Sequence, residues 1–107
     1  MRLIARDELK ARLDRGDDFR LVNALGGWAH RAKHIPGSLN FATPEESLKV
    51  LKRDEDIVVY CSNPKCIASI SAYLFLESHG YAKVTRYAGG IEDWDAAGYP
   101  LEGTMIR

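Results

Sequence analysis

The fold of this chain is decided by residues 57–66, which read IVVYCSNPKC. The uninterrupted run that begins at Ile57 is rich in β-branched residues and predicts a parallel strand covered on both faces, at the centre of a sheet. Cys61 follows that strand directly, and a helical pattern of apolar residues begins at Ile67. A thiol between a buried strand and a helix start lies among backbone N–H groups, which favour the thiolate. Cys61 is therefore the first candidate nucleophile.

Strand and helix signals alternate on both sides of this segment. The predicted strands cover residues 3–4, 19–24, 39–41, 56–60 and 83–87. The predicted helices comprise one that contains Leu9 and Leu13 and ends at Gly16, one over 44–52 with Thr43 as its N-cap, and two over 67–79 and 91–97. Repeated strand–helix units predict an α/β fold, with a mainly parallel sheet and helices on both faces.

Composition limits what kind of protein this is. Its 107 residues, 46% of them hydrophobic, fit one domain over residues 1–107 that buries its own core. Fifteen basic and fifteen acidic residues cancel, so no nucleic-acid partner and no membrane surface is expected. No apolar stretch approaches the roughly 20 residues of a membrane span, and we expect a cytoplasmic protein. Two cysteines are too few for a secreted disulfide scaffold, which favours a chemical role for them.

Three segments resemble, in order, the motifs of single-domain rhodaneses, which are sulfurtransferases. Residues 34–40 (HIPGSLN) resemble the HIPGA-x-N segment of the family, residues 58–61 (VVYC) are similar to the strand that delivers the catalytic cysteine, and residues 89–100 (GGIEDWDAAGYP) resemble the C-terminal signature. The resemblance implies a rhodanese-like fold with five strands in the order 1-5-4-2-3. It also implies that Cys61 is the catalytic residue and carries sulfane sulfur as a persulfide from donor to acceptor.

Sulfur transfer of this kind needs one nucleophile and a place for negative charge. We assign binding of the substrate and the persulfide to the loop formed by Ser62, Asn63, Pro64, Lys65 and Cys66. The backbone N–H groups that this loop has are expected to form a cradle. Lys65 either recruits anionic donors or is a solvated charge. The expected partners are a small-molecule donor such as thiosulfate or polysulfide, or a protein persulfide, and a thiol or cyanide acceptor. We expect no cofactor and no metal.

The chain departs from the family pattern in two places. Asn23 and Leu25 stand where many rhodaneses have Asp and Arg, so a charge pair near the second strand is absent. Pro64 and Cys66 occupy the part of the loop that normally contains a glycine and often an arginine. Substrate preference therefore does not follow from the resemblance.

Cys66 has two interpretations. It either packs as a structural thiol or acts as a resolving thiol that closes an internal disulfide with Cys61. Asn63 and Pro64 are also compatible with an N-cap and a first helical residue, which would place Cys66 in the first turn of the following helix. The sequence leaves both questions open.

The remaining histidines and tryptophans have structural interpretations. His34 is expected to hydrogen-bond the turn that follows it rather than to act as a general base. His30 and His79 are expected at the surface, and Trp28 and Trp94 are expected to pack in the core or at its rim.

Other functions fit parts of the pattern. A protein-phosphatase relative would need an arginine closing a seven-residue loop, but the residue six beyond Cys61 is Ile67. A zinc site from Cys61, Cys66, His30 and His34 has no recognisable spacing. A non-catalytic rhodanese-like binding or regulatory module and a Cys61/Cys66 thiol–disulfide redox protein stay open as alternatives.

Overall fold

Helices and strands alternate along the computed structural model, which describes residues 1–106. The elements are α1 (Arg6–Arg15), β1 (Arg20–Asn23), α2 (Gly27–Ala32), α3 (Pro44–Val50), β2 (Ile57–Tyr60), α4 (Ala68–Ser78), β3 (Val84–Tyr87) and α5 (Gly90–Ala96). This confirms the predicted α/β class. Within residues 1–106, no helix combines the length and apolar character needed to cross a membrane.

The sheet is parallel and has β2 at its centre, in the order β1-β2-β3. Val59 of β2 stands opposite Val22 on one side and Arg86 on the other. All four residues of β2 are buried, as expected for a strand with helices on both faces. The apolar run at Ile57 thus fixes the middle of the fold, and the chain leaves it directly at Cys61.

The five-strand count is not confirmed. Leu3 makes a single parallel bridge to Arg86, and Leu39 makes a single parallel bridge to Val22. These bridges place both segments at the edges, beside β3 and β1, in the order that the resemblance implies. Each segment is too short to form a strand, because α1 begins at Arg6 and the chain after Leu39 turns towards α3.

Apolar side chains fill two layers, one on each face of the sheet. Successive strand residues point to opposite faces, so Val58 lies in the layer under α1 and α5 while Val59 lies in the layer under α3 and α4. Trp94 of α5 is buried in the first layer, which confirms its predicted packing role. The prediction of helices on both faces is therefore correct.

One prediction about the helices is confirmed, and another is only partly correct. The start of α3 is as predicted, with the Glu46 N–H donating to Thr43 Oγ1 at 3.3 Å. In α4, however, the predicted apolar stripe is only partly buried: Tyr73 and Leu76 face the sheet, but Ile67 is 72% exposed. Ile67 precedes the first turn of α4, so it does not share the buried face of that helix. Leu74 is exposed as well, and the predicted packing of Trp28 in the core or at its rim is wrong, because its side chain is exposed.

Candidate active site

Cys61 lies where the central strand ends, and the start of α5 holds the backbone of Cys61 and of the residue after it. The Ile91 N–H donates to the Cys61 carbonyl at 2.9 Å, and the Glu92 N–H donates to the Ser62 carbonyl at 2.9 Å. The Cys61 side chain is buried, with only 1% of the residue exposed. Its position is therefore fixed by secondary structure from two distant parts of the chain.

The loop after Ser62 is a tight turn that begins at Asn63 and ends at Cys66. The Asn63 side-chain oxygen accepts from the Lys65 N–H at 2.9 Å, and its carbonyl accepts from the Cys66 N–H at 3.1 Å. The Asn63 amide nitrogen also donates to the Glu92 carboxylate at 2.5 Å. Because α4 begins only at Ala68, the alternative of a helix that starts within this loop is wrong. Cys66 lies before the helix.

The backbone N–H groups that lower the pKa values of the two thiols belong only in part to the predicted loop. They belong to Ser62, Ala68 and Ser69. The N–H groups of Lys65 and Cys66 are used inside the turn. The N–H groups that favour the thiolates thus come partly from the loop and partly from the start of α4, and helix starts generally favour anions.

The two cysteines are free thiols, and Cys61 Sγ lies 3.4 Å from the Cys66 carbonyl oxygen. Burial raises the pKa of Cys61, and the neighbouring Cys66 raises it further. Burial opposes ionisation of Cys66 too, but the Cys61 thiol and the N–H groups of Ala68 and Ser62 lower the pKa of Cys66 to about 7. The sequence predicts a thiolate-favouring environment at Cys61, whereas the resting protein provides it at Cys66. Of the two thiols, Cys66 therefore loses its proton at the lower pH.

A serine and an arginine that the sequence did not single out stand behind Cys61. Cys61 Sγ lies 3.2 Å from Ser69 Oγ, and Ser69 Oγ accepts a hydrogen bond from Arg86 Nε at 2.8 Å. Arg86 comes from β3, where alternation places it on the same helix-covered face as Val84. That alternation is the sequence signal for a buried arginine.

The histidines near β1 form a structural group. Asn23 is buried, and its side-chain nitrogen lies 3.0 Å from His30 Nδ1. The rings of His30 and His34 stack with centroids 4.1 Å apart, and His34 Nδ1 bonds the His30 carbonyl at 2.7 Å. The predicted surface position of His30 is wrong, because the residue is partly buried, and burial together with His34 lowers its pKa. His34 contacts the preceding helix, not the following turn.

The zinc alternative finds no support in the structure. Among residues 1–106, no group of three or more His, Cys, Asp and Glu side chains is placed to hold a metal ion. The histidines interact with Asn23 and with each other, and Cys61 interacts with Cys66 and Ser69.

An apolar cleft of about 460 Å³ opens beside the start of α4. Its walls come from the end of β1, from α3 and from α4, and include Leu25, Phe41, Ala68 and Phe75. No titratable side chain and neither cysteine lines it. The cleft adjoins the loop through Ala68 and offers no charge to a bound molecule.

A family model described as Rhodanese-like domain matches residues 5–97. The chain belongs to the rhodanese-like domain family. The three motifs that resemble those of rhodaneses therefore identified the family correctly. A search of curated proteins found no match to this rhodanese-like chain.

Solved structures share the rhodanese-like fold. The chain superposes with a TM-score of 0.89 on a Bacillus halodurans protein, at 24% identity, with 97% of this chain and 78% of that one covered. For the rhodanese-like domain of an Anabaena protein the TM-score is 0.87 at 25% identity, with 98% and 81% covered. For a human single-domain sulfurtransferase it is 0.79 at 23% identity, with 90% and 96% covered.

Proposed function

We propose that this rhodanese-like chain is a sulfurtransferase that moves sulfane sulfur from an anionic donor to a thiophilic acceptor through a persulfide on Cys61. The observation that carries the proposal is the position of Cys61 at the carboxyl end of the central parallel strand, in a loop held by α5. Ligands of open α/β sheets bind at this edge. The sulfurtransferase of the same fold gives independent support for the class of activity.

The chemistry has two half-reactions. The Cys61 thiolate attacks the outer sulfur of the donor, a new S–S bond forms, and with thiosulfate the old S–S bond breaks as sulfite leaves with its electron pair. A thiol or cyanide then attacks the outer sulfur of the persulfide, and the Cys61 thiolate leaves. Because burial raises the pKa of Cys61, its thiolate fraction is small at neutral pH and grows as the pH rises. We expect sulfur loading to become faster with pH above 7.

Intact-mass spectrometry tests the proposal. The wild-type protein is incubated separately with thiosulfate, polysulfide and glutathione persulfide, and then with cyanide. We expect at least one donor to add a single sulfur atom that cyanide removes as thiocyanate. Failure of all donors to add sulfur to folded protein would contradict the proposal and favour a non-catalytic binding or regulatory module.

The thiol pair supports a second candidate function, that of a thiol–disulfide redox protein. The carrying observations are that Cys61 Sγ lies 3.4 Å from the Cys66 carbonyl oxygen and that the pKa of Cys66 is lowered to about 7. In such a step the Cys66 thiolate attacks the inner sulfur of the Cys61 persulfide, the Cys61–Cys66 disulfide forms, and hydrosulfide leaves. An external dithiol reductant would then return both thiols.

Cys66→Ser distinguishes the two functions. If Cys66 is a resolving thiol, the variant still accepts sulfur on Cys61 but its persulfide lives at least about tenfold longer, because the internal attack is lost. Persulfide decay is followed by intact mass. Oxidised wild type should also lose two hydrogens in a peptide that joins both cysteines. If Cys66 stays free after mild oxidation and the persulfide lifetime is unchanged, Cys66 is a packing residue.

Lys65 is expected to recruit anionic donors from its exposed position in the loop. An exposed charge contributes about 0.2–1 kcal/mol, so Lys65→Ala should raise the apparent KM for thiosulfate by up to about fivefold and leave kcat nearly unchanged. Added salt should reduce the difference between variant and wild type. Lys83→Ala, which removes another exposed charge, before β3, is the matched control. Equal KM values in the two variants would make Lys65 a solvated charge.

A further inference from the structure

Arg86 is a buried cation that pairs with no carboxylate among the described residues. It is 7% exposed, and none of the ion pairs found within residues 1–106 includes it. Its side chain instead donates to two neutral oxygens, Ser69 Oγ at 2.8 Å and the Pro64 carbonyl at 3.3 Å. A buried charge without a counterion is costly. The arrangement indicates that an anion forms nearby during function.

The hydrogen bond from Arg86 limits where the hydroxyl hydrogen of Ser69 can point. A guanidinium only donates, so Ser69 Oγ is the acceptor in its bond to Arg86 Nε and must place its own hydrogen elsewhere. Its other side-chain partner is Cys61 Sγ at 3.2 Å. The Cys66 carbonyl lies 3.4 Å from the same sulfur. While Cys61 is a thiol, its hydrogen has two acceptors, Ser69 Oγ and the Cys66 carbonyl. Once the thiol ionises it has no hydrogen to give, and the bond then runs from the Ser69 hydroxyl to the sulfur.

We propose that Ser69 is a further catalytic residue, which donates its hydroxyl hydrogen bond to the Cys61 sulfur anion, and that Arg86 is the positioning residue that fixes this donor and supplies a buried positive charge behind it. Ser69 keeps its proton throughout, so the pair transfers no proton and stabilises negative charge only. The stabilisation of the Cys61 thiolate does not depend on the proposed function. The part that concerns the persulfide anion rests on the proposed function.

The other groups around Cys61 either raise its pKa or do not contact its sulfur. Burial and Cys66 raise the pKa of Cys61, whereas the hydroxyl and the N–H of Ser69 lower it. Lys65 is exposed in the turn, and the Glu92 carboxylate is bound to Asn63. Arg86 is thus the positive charge that reaches Cys61 through a buried contact, and it does so through Ser69.

The pH dependence of Cys61 ionisation tests the proposal. The β-carbon NMR resonance of Cys61 and its rate of alkylation by iodoacetamide, read by peptide mass, are followed against pH in Ser69→Ala, Arg86→Met and Arg86→Lys. A hydrogen bond to a charged group is worth about one pKa unit, so Ser69→Ala and Arg86→Met should move the Cys61 midpoint up by about one unit and slow alkylation at pH 7 about tenfold. Arg86→Lys, which keeps the charge, should shift the midpoint less than Arg86→Met.

Two controls separate this role from a structural one. Ser71→Ala makes the same substitution at an exposed position of α4 and should titrate as wild type. The titration midpoint of Cys66 in each variant is an internal control. Cys61 is still protonated at the pH where Cys66 ionises, so a higher pKa of Cys61 should leave the Cys66 midpoint unchanged. If Arg86→Met does not fold, Ser69→Ala against Ser71→Ala decides the question.

A Cys61 midpoint at its wild-type value in folded Ser69→Ala would overturn the proposal and leave the pair as a structural tie between the loop and α4. The titration needs no sulfur donor, so it gives its answer even if the wild type forms no persulfide. Where persulfide does form, sulfur loading should slow in Ser69→Ala by the same factor as alkylation.

Discussion

Cys61→Ser is expected to lower the rate of thiocyanate formation from thiosulfate and cyanide at least about 10³-fold, because removal of a covalent nucleophile eliminates the reaction path that it opens. The hydroxyl of serine ionises far above the working pH and forms no persulfide. The fold should survive, since serine is close in size to the cysteine that it replaces at this buried position. Initial rates at saturating thiosulfate measure the effect.

The matched control for this prediction is Cys66→Ser, which removes the other free thiol five residues later. Because Cys66 lies in the turn and not at the end of the strand, we expect that variant to keep transfer to cyanide within about tenfold of wild type. Full transfer by Cys61→Ser together with loss of transfer in Cys66→Ser would exchange the roles of the two thiols.

Gly90→Ala is expected to disrupt the same site from the opposite side of the loop. Gly90 has a φ of +70°, and a Cβ there would lie 2.5 Å from the Cys61 carbonyl oxygen and 2.6 Å from the Ser62 carbonyl carbon. The left-handed backbone costs an alanine about 1–2 kcal/mol, and overpacking against backbone adds about 1–3 kcal/mol. Relief of the overlap shifts the loop by about 1 Å, which is enough to lower the transfer rate about 10²-fold.

Gly98→Ala isolates the steric part of this effect. Gly98 has a φ of +75° but no heavy atom within 4 Å of the added Cβ, so it carries only the backbone cost. We expect Gly98→Ala to lose about 1–2 kcal/mol in urea unfolding and to keep its activity, while Gly90→Ala loses more stability and most of its activity. Equal losses in the two variants would show that the contact between Gly90 and the Cys61 loop is unimportant.

Local chemistry explains which parts of the fold the sequence predicts well. The apolar run at Ile57 and the Thr43 cap each depend on a few adjacent residues, and both features are present as predicted. The edge strands depend on pairing with distant segments and on the space left before the next helix. Leu3 and Leu39 therefore carry strand-like sequence but make one bridge each.

The candidate site also has features that follow from the local sequence and features that arise only in the folded chain. The placement of Cys61 after the central strand follows from sequence, because one continuous segment encodes it. The raised pKa of Cys61 does not, since it arises from burial and from Cys66, which the tertiary structure brings into contact. Ser69 and Arg86 lie on different elements and meet only in the folded chain. Alternation with Val84 indicates that Arg86 is buried, but no local pattern tells which residues it contacts.

The most direct test of the central claim is to locate the added sulfur. After incubation with thiosulfate the folded protein is alkylated, unfolded and digested with trypsin, which cleaves after Lys65 and so separates the two cysteines into different peptides. The proposed function predicts the extra sulfur on the peptide that contains Cys61, with removal by a dithiol reductant and no sulfur on the peptide that begins at Cys66. Extra sulfur on the Cys66 peptide, with Cys61 unmodified, would contradict it.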